Sequence, residues 1–211
     1  MNKTEKVNFI ISTLDELYGD PKIPLNHYDH YTLLIAVLLS AQCTDLKVNE
    51  VTPHLFKLAN NPRDMMSCDP EEIRSIIRPC GLSNSKAQAI HKLSILLVKE
   101  HNSIVPSNFE DLEKLPGVGH KTASVVMAQG FNVPTFPVDT HIHRLSYRWK
   151  ISNGKNVIKT ESDCKKIFPK NVWNKLHLQM IYFGREYCPA RKHKPMTCPI
   201  CSVVGRKSLF N

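Results

Sequence analysis

Nine residues, Leu115-Pro-Gly-Val-Gly-His-Lys-Thr-Ala123, constrain this chain more than any other stretch. They predict a short helix, a turn built on two glycines, and a second helix with Lys121 on its first turn. Gly117 and Gly119 carry no Cβ, so the backbone there can turn sharply and lie close against a ligand. The amides at the start of the second helix, together with its dipole, favour an anion, and a DNA phosphate is such an anion. Further on comes Val138-Asp-Thr-His-Ile-His-Arg144, which adds a carboxylate, Asp139. A phosphate clamp accompanied by an amine and an acid points to chemistry on nucleic acid.

The rest of the chain reads as helices. Val7, Ile10, Ile11, Leu14, Leu17 and Tyr18 recur at helical spacing. Tyr31–Leu39 is apolar all round, as a buried central helix must be. Asp69-Pro70-Glu71-Glu72 is a helix start: a cap, a proline at the first position, then acids near the positive end of the dipole. Gly81 is expected to end that helix. Ile90, Leu93 and Leu97 form the next stripe, Ser107 is the expected cap of the helix entering the glycine turn, and Val172, Leu176, Met180 and Phe183 mark a late helix. No run alternates with period two, so the fold class is all-α. Phe131–Val138, with Pro134 and Pro137, reads as an extended connector.

Composition bounds the partner. At 211 residues the chain can form one large or two small domains, and 42% apolar with 22% charged residues describes an ordinary globule. The net charge is +9. Arg185, Arg191, Lys192, Lys194, Arg206 and Lys207 stand against Glu186 alone over residues 185–207, which concentrates positive charge there. Such a patch is the footprint of a polyanion. The N-terminus has no apolar signal core, and the longest apolar run, Leu33–Leu39, is too short to span a bilayer. Seven cysteines without a secretory signal point to a reducing compartment, and the cytoplasm is the expected location. Cys43, Cys68, Cys80 and Cys164 lack ligand-like spacing and read as packing residues.

Five segments, in order, carry a resemblance: Leu39-Ser-Ala-Gln-Cys-Thr-Asp45, Gly81-Leu-Ser-Asn-Ser-Lys-Ala87, the glycine hairpin, Val138-Asp-Thr-His141, and Gly184-Arg-Glu-Tyr-Cys-Pro-Ala-Arg-Lys192. On these the chain resembles the endonuclease III family of DNA glycosylases, in the helix-hairpin-helix superfamily, over almost its whole length. The resemblance implies a two-lobed fold with a DNA-binding cleft: a six-helix barrel over residues 22–132, and a second lobe from residues 1–21 and 133–211. It implies base excision repair, with removal of damaged, chiefly oxidised, pyrimidines and nicking of the strand at the resulting abasic (AP) site by AP lyase chemistry. The implied partner is double-stranded damaged DNA, with no membrane and a monomeric chain.

That chemistry needs an amine nucleophile, which attacks C1′ of the deoxyribose, expels the base and remains as a Schiff base that permits β-elimination. Lys121 is the candidate. A free lysine titrates near pH ~10.4; partial burial and the positive end of a helix both disfavour an ammonium. Asp139 would stabilise the oxocarbenium-like sugar and move protons from the amine, and it also fits a helix cap before Thr140. Gly117 and Gly119 would hold phosphate. His141 and Arg144 either pack or bind phosphate. By resemblance Gln42 and Leu82 enter the duplex where the target base has left it; an interior leucine and an ordinary loop glutamine are the plain alternative.

At the C-terminal end the pattern departs from the family, which typically holds a [4Fe–4S] cluster with Cys-x6-Cys-x2-Cys-x5-Cys. Here Cys188 is followed by nine residues before Cys198 and two before Cys201, and the position of a fourth cysteine holds Lys207. Three outcomes stay open: a cluster on three cysteines with an unusual fourth ligand, a zinc ion completed by His193, or a basic segment without metal. Rival readings of the whole chain are a non-catalytic helix-hairpin-helix DNA-binding protein, a monofunctional adenine-mismatch glycosylase relative, and a small zinc-dependent regulator. The monofunctional relative usually lacks the lysine and carries an extra C-terminal domain, so Lys121 and the chain's end at Asn211 argue against it.

Overall fold

The computed structural model describes residues 1–210; Asn211, which the sequence reading places in the terminal lobe, lies outside the described residues. Among the described residues there are helices and no strands. The α-helices are α1 (Lys3–Tyr18), α2 (His30–Ser40), α3 (Asp45–Leu58), α4 (Pro62–Met65), α5 (Pro70–Ile77), α6 (Ser83–Glu100), α7 (Phe109–Lys114), α8 (His120–Gly130), α9 (Thr140–Arg148), α10 (Val157–Ile167), α11 (Trp173–Glu186) and α12 (Cys201–Val204). They fall into two compact units, Pro24–Asn132 and Met1–Ile23 with Val133–Asn211. No helix is long and apolar enough to cross a membrane.

In the unit Pro24–Asn132, every residue of Tyr31–Leu39 is buried, so α2 has no solvent face. It packs against α3, α6 and α8. Asp29 starts it, accepting from the Thr32 amide at 2.8 Å. Around it, α5 packs on α3 and α6, α4 on α6, and α7 on α8. Asp69 caps α5 as its sequence predicts, accepting from the Glu71 amide at 2.9 Å. That helix ends at Ile77, earlier than Gly81. Pro79 withholds the N–H that another α-turn needs, and the chain tightens into a 3-10 turn over Arg78–Cys80. The cap of α7 is Asn108, not Ser107. Asn108 is the extended residue immediately before the helix, and its Oδ1 accepts from the Asp111 amide at 2.9 Å, a reach Ser107 lacks from one position earlier.

The other unit is built on α1, α9 and α11, with α10 beside α9. Its core takes Val7, Ile10 and Leu14 from α1, Ile142 and Leu145 from α9, Leu176, Met180 and Phe183 from α11, and Trp149. Trp149 and Phe183 meet edge to face at 5.5 Å, both fully buried, and burial of each stabilises the unit by about 1.5–3 kcal/mol. Phe131–Val138 carries no helix, and Phe136 from this connector is fully buried, stacked on Phe168. Cys188, Cys198 and Cys201 belong to the same core.

Candidate functional site

The glycine hairpin joins α7 to α8. Leu115 and Val118 point inward and are buried, while Gly117 and Gly119 stay on the surface. The two glycines do different work. Gly117 sits at φ +80°, and a Cβ there would lie 2.8 Å from the Ala89 Cβ and 3.0 Å from the Leu38 Cδ1, so it makes the turn and lets α6 and α2 approach it. Gly119 is the N-cap of α8 at φ −94°, and a Cβ added there would meet no heavy atom within 4 Å. No side chain makes a capping hydrogen bond at the start of α8. That is a helix N-terminus ready for an anion. Glu113 and His120 close the hairpin with a 2.8 Å contact.

Lys121 is the second residue of α8 and is exposed. The partial burial expected of it is not found. Thr122–Ala128 are all buried, nearly two full turns of the helix, so Lys121 is exposed because it stands in the first turn of α8. The amine is therefore accessible beside the start of α8.

Gln42 and Leu82 both occupy the left-handed region, at φ 53° and φ 49°, and both are exposed, Leu82 by 57%. An interior Leu82 is thus excluded. Between these turns lies a residue whose role the sequence does not signal. Lys86 is 5% exposed, and its Nζ donates to the Leu39 carbonyl at 2.9 Å and the Cys80 carbonyl at 3.1 Å. It ties the end of α2, just before Gln42, to the turn just before Leu82. Burial pushes its ammonium pKa down. The neighbouring Cys80 is a packing residue, its thiol pushed up to about 12 by burial and by its contact with Cys43.

Asp139 caps α9. Its Oδ1 accepts from the Ile142 amide at 2.8 Å, which fixes the carboxylate and leaves Oδ2 outside that bond. For Arg144 the structure favours packing over phosphate binding. Its Nη2 donates to the Gly184 carbonyl at 2.9 Å and the Cys188 carbonyl at 3.1 Å, and its Nε also reaches Cys188. A guanidinium committed to three such bonds locks α9 to the end of α11. His141 lies 3.1 Å from the same Nη2, and burial holds its imidazole below the ordinary range, against the pull of Asp139.

At the end of α11, Cys188, His193, Cys198 and Cys201 bring their ligand atoms within 4.8 Å of one another. The three cysteines are buried. Arg148 donates from Nη1 to the Cys188 Sγ at 3.1 Å and to the Pro189 carbonyl at 2.8 Å. Such a donor set could hold a metal ion.

Residues 35–170 match the model of the HhH-GPD superfamily base excision DNA repair proteins. Endonuclease III of Escherichia coli K12 is 42% identical over 200 residues, covering 95% of this chain and 94% of that protein. Endonuclease III of Bacillus subtilis 168 is 36% identical, covering 96% and 93%. The solved structure of a trapped endonuclease III–DNA covalent intermediate superposes with a TM-score of 0.93 at 37% identity, covering all of this chain and 98% of that one. These matches settle the family: the chain belongs to the endonuclease III family of the HhH-GPD superfamily of base excision DNA repair proteins.

Proposed function

We propose that this chain is a base-excision-repair DNA glycosylase with AP lyase activity, acting on duplex DNA that carries a damaged base, oxidised pyrimidines foremost. The observation that carries the reading is an exposed Lys121 one residue past the uncapped N-terminus of α8. The open amides take a backbone phosphate, and the lysine stands beside it. A membership in which a relative has been trapped as a covalent intermediate with DNA supports an amine nucleophile.

In the reaction so read, the neutral Nζ of Lys121 forms a bond to C1′ as the glycosidic bond breaks, and the base leaves with the bonding electrons and a proton. Asp139 stabilises the positive charge that develops on the sugar and relays the proton that the amine sheds to the departing base. Opening of the sugar gives the Schiff base, loss of a C2′ proton follows, and the 3′ phosphate departs, which nicks the strand. Gln42 and Leu82, exposed on their left-handed turns, fill the space the base vacates. The Cys188, His193, Cys198 and Cys201 group acts as a structural metal site that fastens a basic segment, and it carries no step of the chemistry. The chain acts as a monomer.

Borohydride trapping on duplexes bearing thymine glycol, an abasic site or no lesion tests this. The expected result is a covalent adduct and a nick on the first two only, with both lost in Lys121→Ala while the fold persists. An adduct formed by Lys121→Ala at the normal rate would reassign the nucleophile. No adduct on any duplex would favour a DNA-binding module without catalysis.

A further inference from the structure

The ligand atoms at the end of α11 are too close together for the cluster that the family resemblance implies. All four lie within 4.8 Å of one another, with Cys188 Sγ 3.7 Å from Cys201 Sγ and 3.4 Å from His193 Nε2. Zinc–sulfur bonds of about 2.3 Å and zinc–nitrogen bonds of about 2.0 Å, at a tetrahedral angle, place two sulfurs ~3.8 Å apart and a sulfur and a nitrogen ~3.5 Å apart. A cubane cluster interposes irons and sulfides between its thiolates and so holds them farther apart than a single ion does. The observed spacing matches a single ion. We infer that this chain carries one structural zinc, bound by Cys188, His193, Cys198 and Cys201, in place of a [4Fe–4S] cluster.

Independent features agree. The nine residues between Cys188 and Cys198 include His193, which completes the set. Lys207, where the family spacing would put the fourth cysteine, is exposed. The chain beyond Cys201 is instead held by Arg206, which donates to the Tyr147 carbonyl at 2.5 Å and the Ser152 carbonyl at 2.8 Å and stacks over the Tyr147 ring at 4.2 Å. Three buried thiolates and a neutral imidazole around Zn²⁺ carry one net negative charge. The Arg148 guanidinium at 3.1 Å from Cys188 Sγ opposes it, and the Cys201 amide supports Cys198 Sγ at 3.4 Å. Assembly exchanges three thiol protons for the ion, with the protons released to solvent and no change of oxidation state. The ion pins a loop whose Arg191, Lys192 and Lys194 are exposed. That loop's role toward DNA rests on the glycosylase reading; the identity of the metal does not.

The test is metal and acid-labile sulfide analysis of protein made with both iron and zinc supplied and purified anaerobically. The expected result is about one zinc per chain, no sulfide and no visible absorbance. Cobalt put in its place should show the intense visible bands of a tetrahedral thiolate site. His193→Ala should lose the zinc, and His193→Cys, which restores four ligands, should keep it. About four irons and four sulfides per chain, or full zinc retention by His193→Ala, or metal-free protein with unchanged unfolding would each overturn the inference. Nicking of thymine-glycol duplex by the same preparations separates the two readings: zinc without nicking sinks only the glycosylase, and iron with nicking sinks only the zinc.

Discussion

Gly117→Ala and Gly119→Ala, two substitutions a single residue apart in the same turn, should fail in opposite ways. At Gly117 the backbone stands at φ +80°, where a Cβ costs about 1–2 kcal/mol. The same Cβ would press on Ala89 at 2.8 Å and Leu38 at 3.0 Å, and overpacking of a close-packed interior adds about 1–3 kcal/mol. Neither neighbour moves easily, since Leu38 lies in the buried run Tyr31–Leu39 of α2 and the Ala89 atom is itself a Cβ. The sum, about 2–5 kcal/mol, corresponds to a fall in melting temperature of about 4–20 °C for a chain of this size. At Gly119 the backbone is extended and the space open, so alanine costs less than about 1 kcal/mol as a poorer N-cap. Its methyl would, however, stand where a phosphate approaches the amides. Thermal unfolding and salt-dependent binding to undamaged duplex separate the effects. Gly119→Ala should keep its melting temperature, bind more weakly, and lose about 0.9 of a unit from the salt slope, one phosphate contact. The reasoning fails if Gly117→Ala melts like the parent, or if Gly119→Ala binds DNA unchanged.

Asp139→Asn should leave stability within about 0.5 kcal/mol, because asparagine caps as well as aspartate and keeps the bond to the Ile142 amide. Base release should fall by about 10²–10³-fold, with less loss of nicking at a preformed abasic site; equal loss on both substrates, or a large drop in melting temperature, would reduce Asp139 to a cap. Lys86→Met fits the same space without the ammonium and strands the Leu39 and Cys80 carbonyls, at about 1–3 kcal/mol for each. Hydrogen exchange should then rise around Gln42 and Leu82 and thymine-glycol excision should fall, and unchanged exchange at both turns would show that Lys86 does not position them.

What could be read from the sequence is what repeats or what punctuates. The run Tyr31–Leu39, apolar but for Thr32, reads as a buried helix, and Asp69-Pro70 announces a helix start by its own chemistry. Those are local signals. The Ser107 expectation failed because two adjacent residues, Ser107 and Asn108, both suit a cap, and only the backbone at Asn108 decides between them. The choice for Arg144 between packing and phosphate binding lay beyond sequence reasoning for a different reason. A basic residue beside a presumed phosphate clamp looks like a phosphate ligand, whereas its acceptors are carbonyls of Gly184 and Cys188, distant in sequence. The exposure of Lys121 departs from the partial burial expected of a nucleophile, and the burial of Lys86 inverts what residue type alone suggests. Both depend on where the residue stands in its helix and on what packs beside it.

The turns at Gln42 and Leu82 carry the last step of the argument. Asparagine tolerates the left-handed region, as at Asn102 and Asn132, but glutamine and leucine rarely enter it, and each costs about 1–2 kcal/mol there. A glycine at either place would be cheaper for the fold. Leu82 also exposes an apolar side chain with no core to join. Strain and exposure at one residue are unfavourable twice over, and such a residue persists only where the surroundings hold it. Lys86 does the holding: a buried cation, itself disfavoured by desolvation, binds the backbone beside both turns. Three locally unfavourable choices that support one another, in a unit otherwise built from well-capped helices, are what the proposed function asks of these turns. A duplex that must be opened to release a base is a ligand that calls for two projecting side chains on fixed stems.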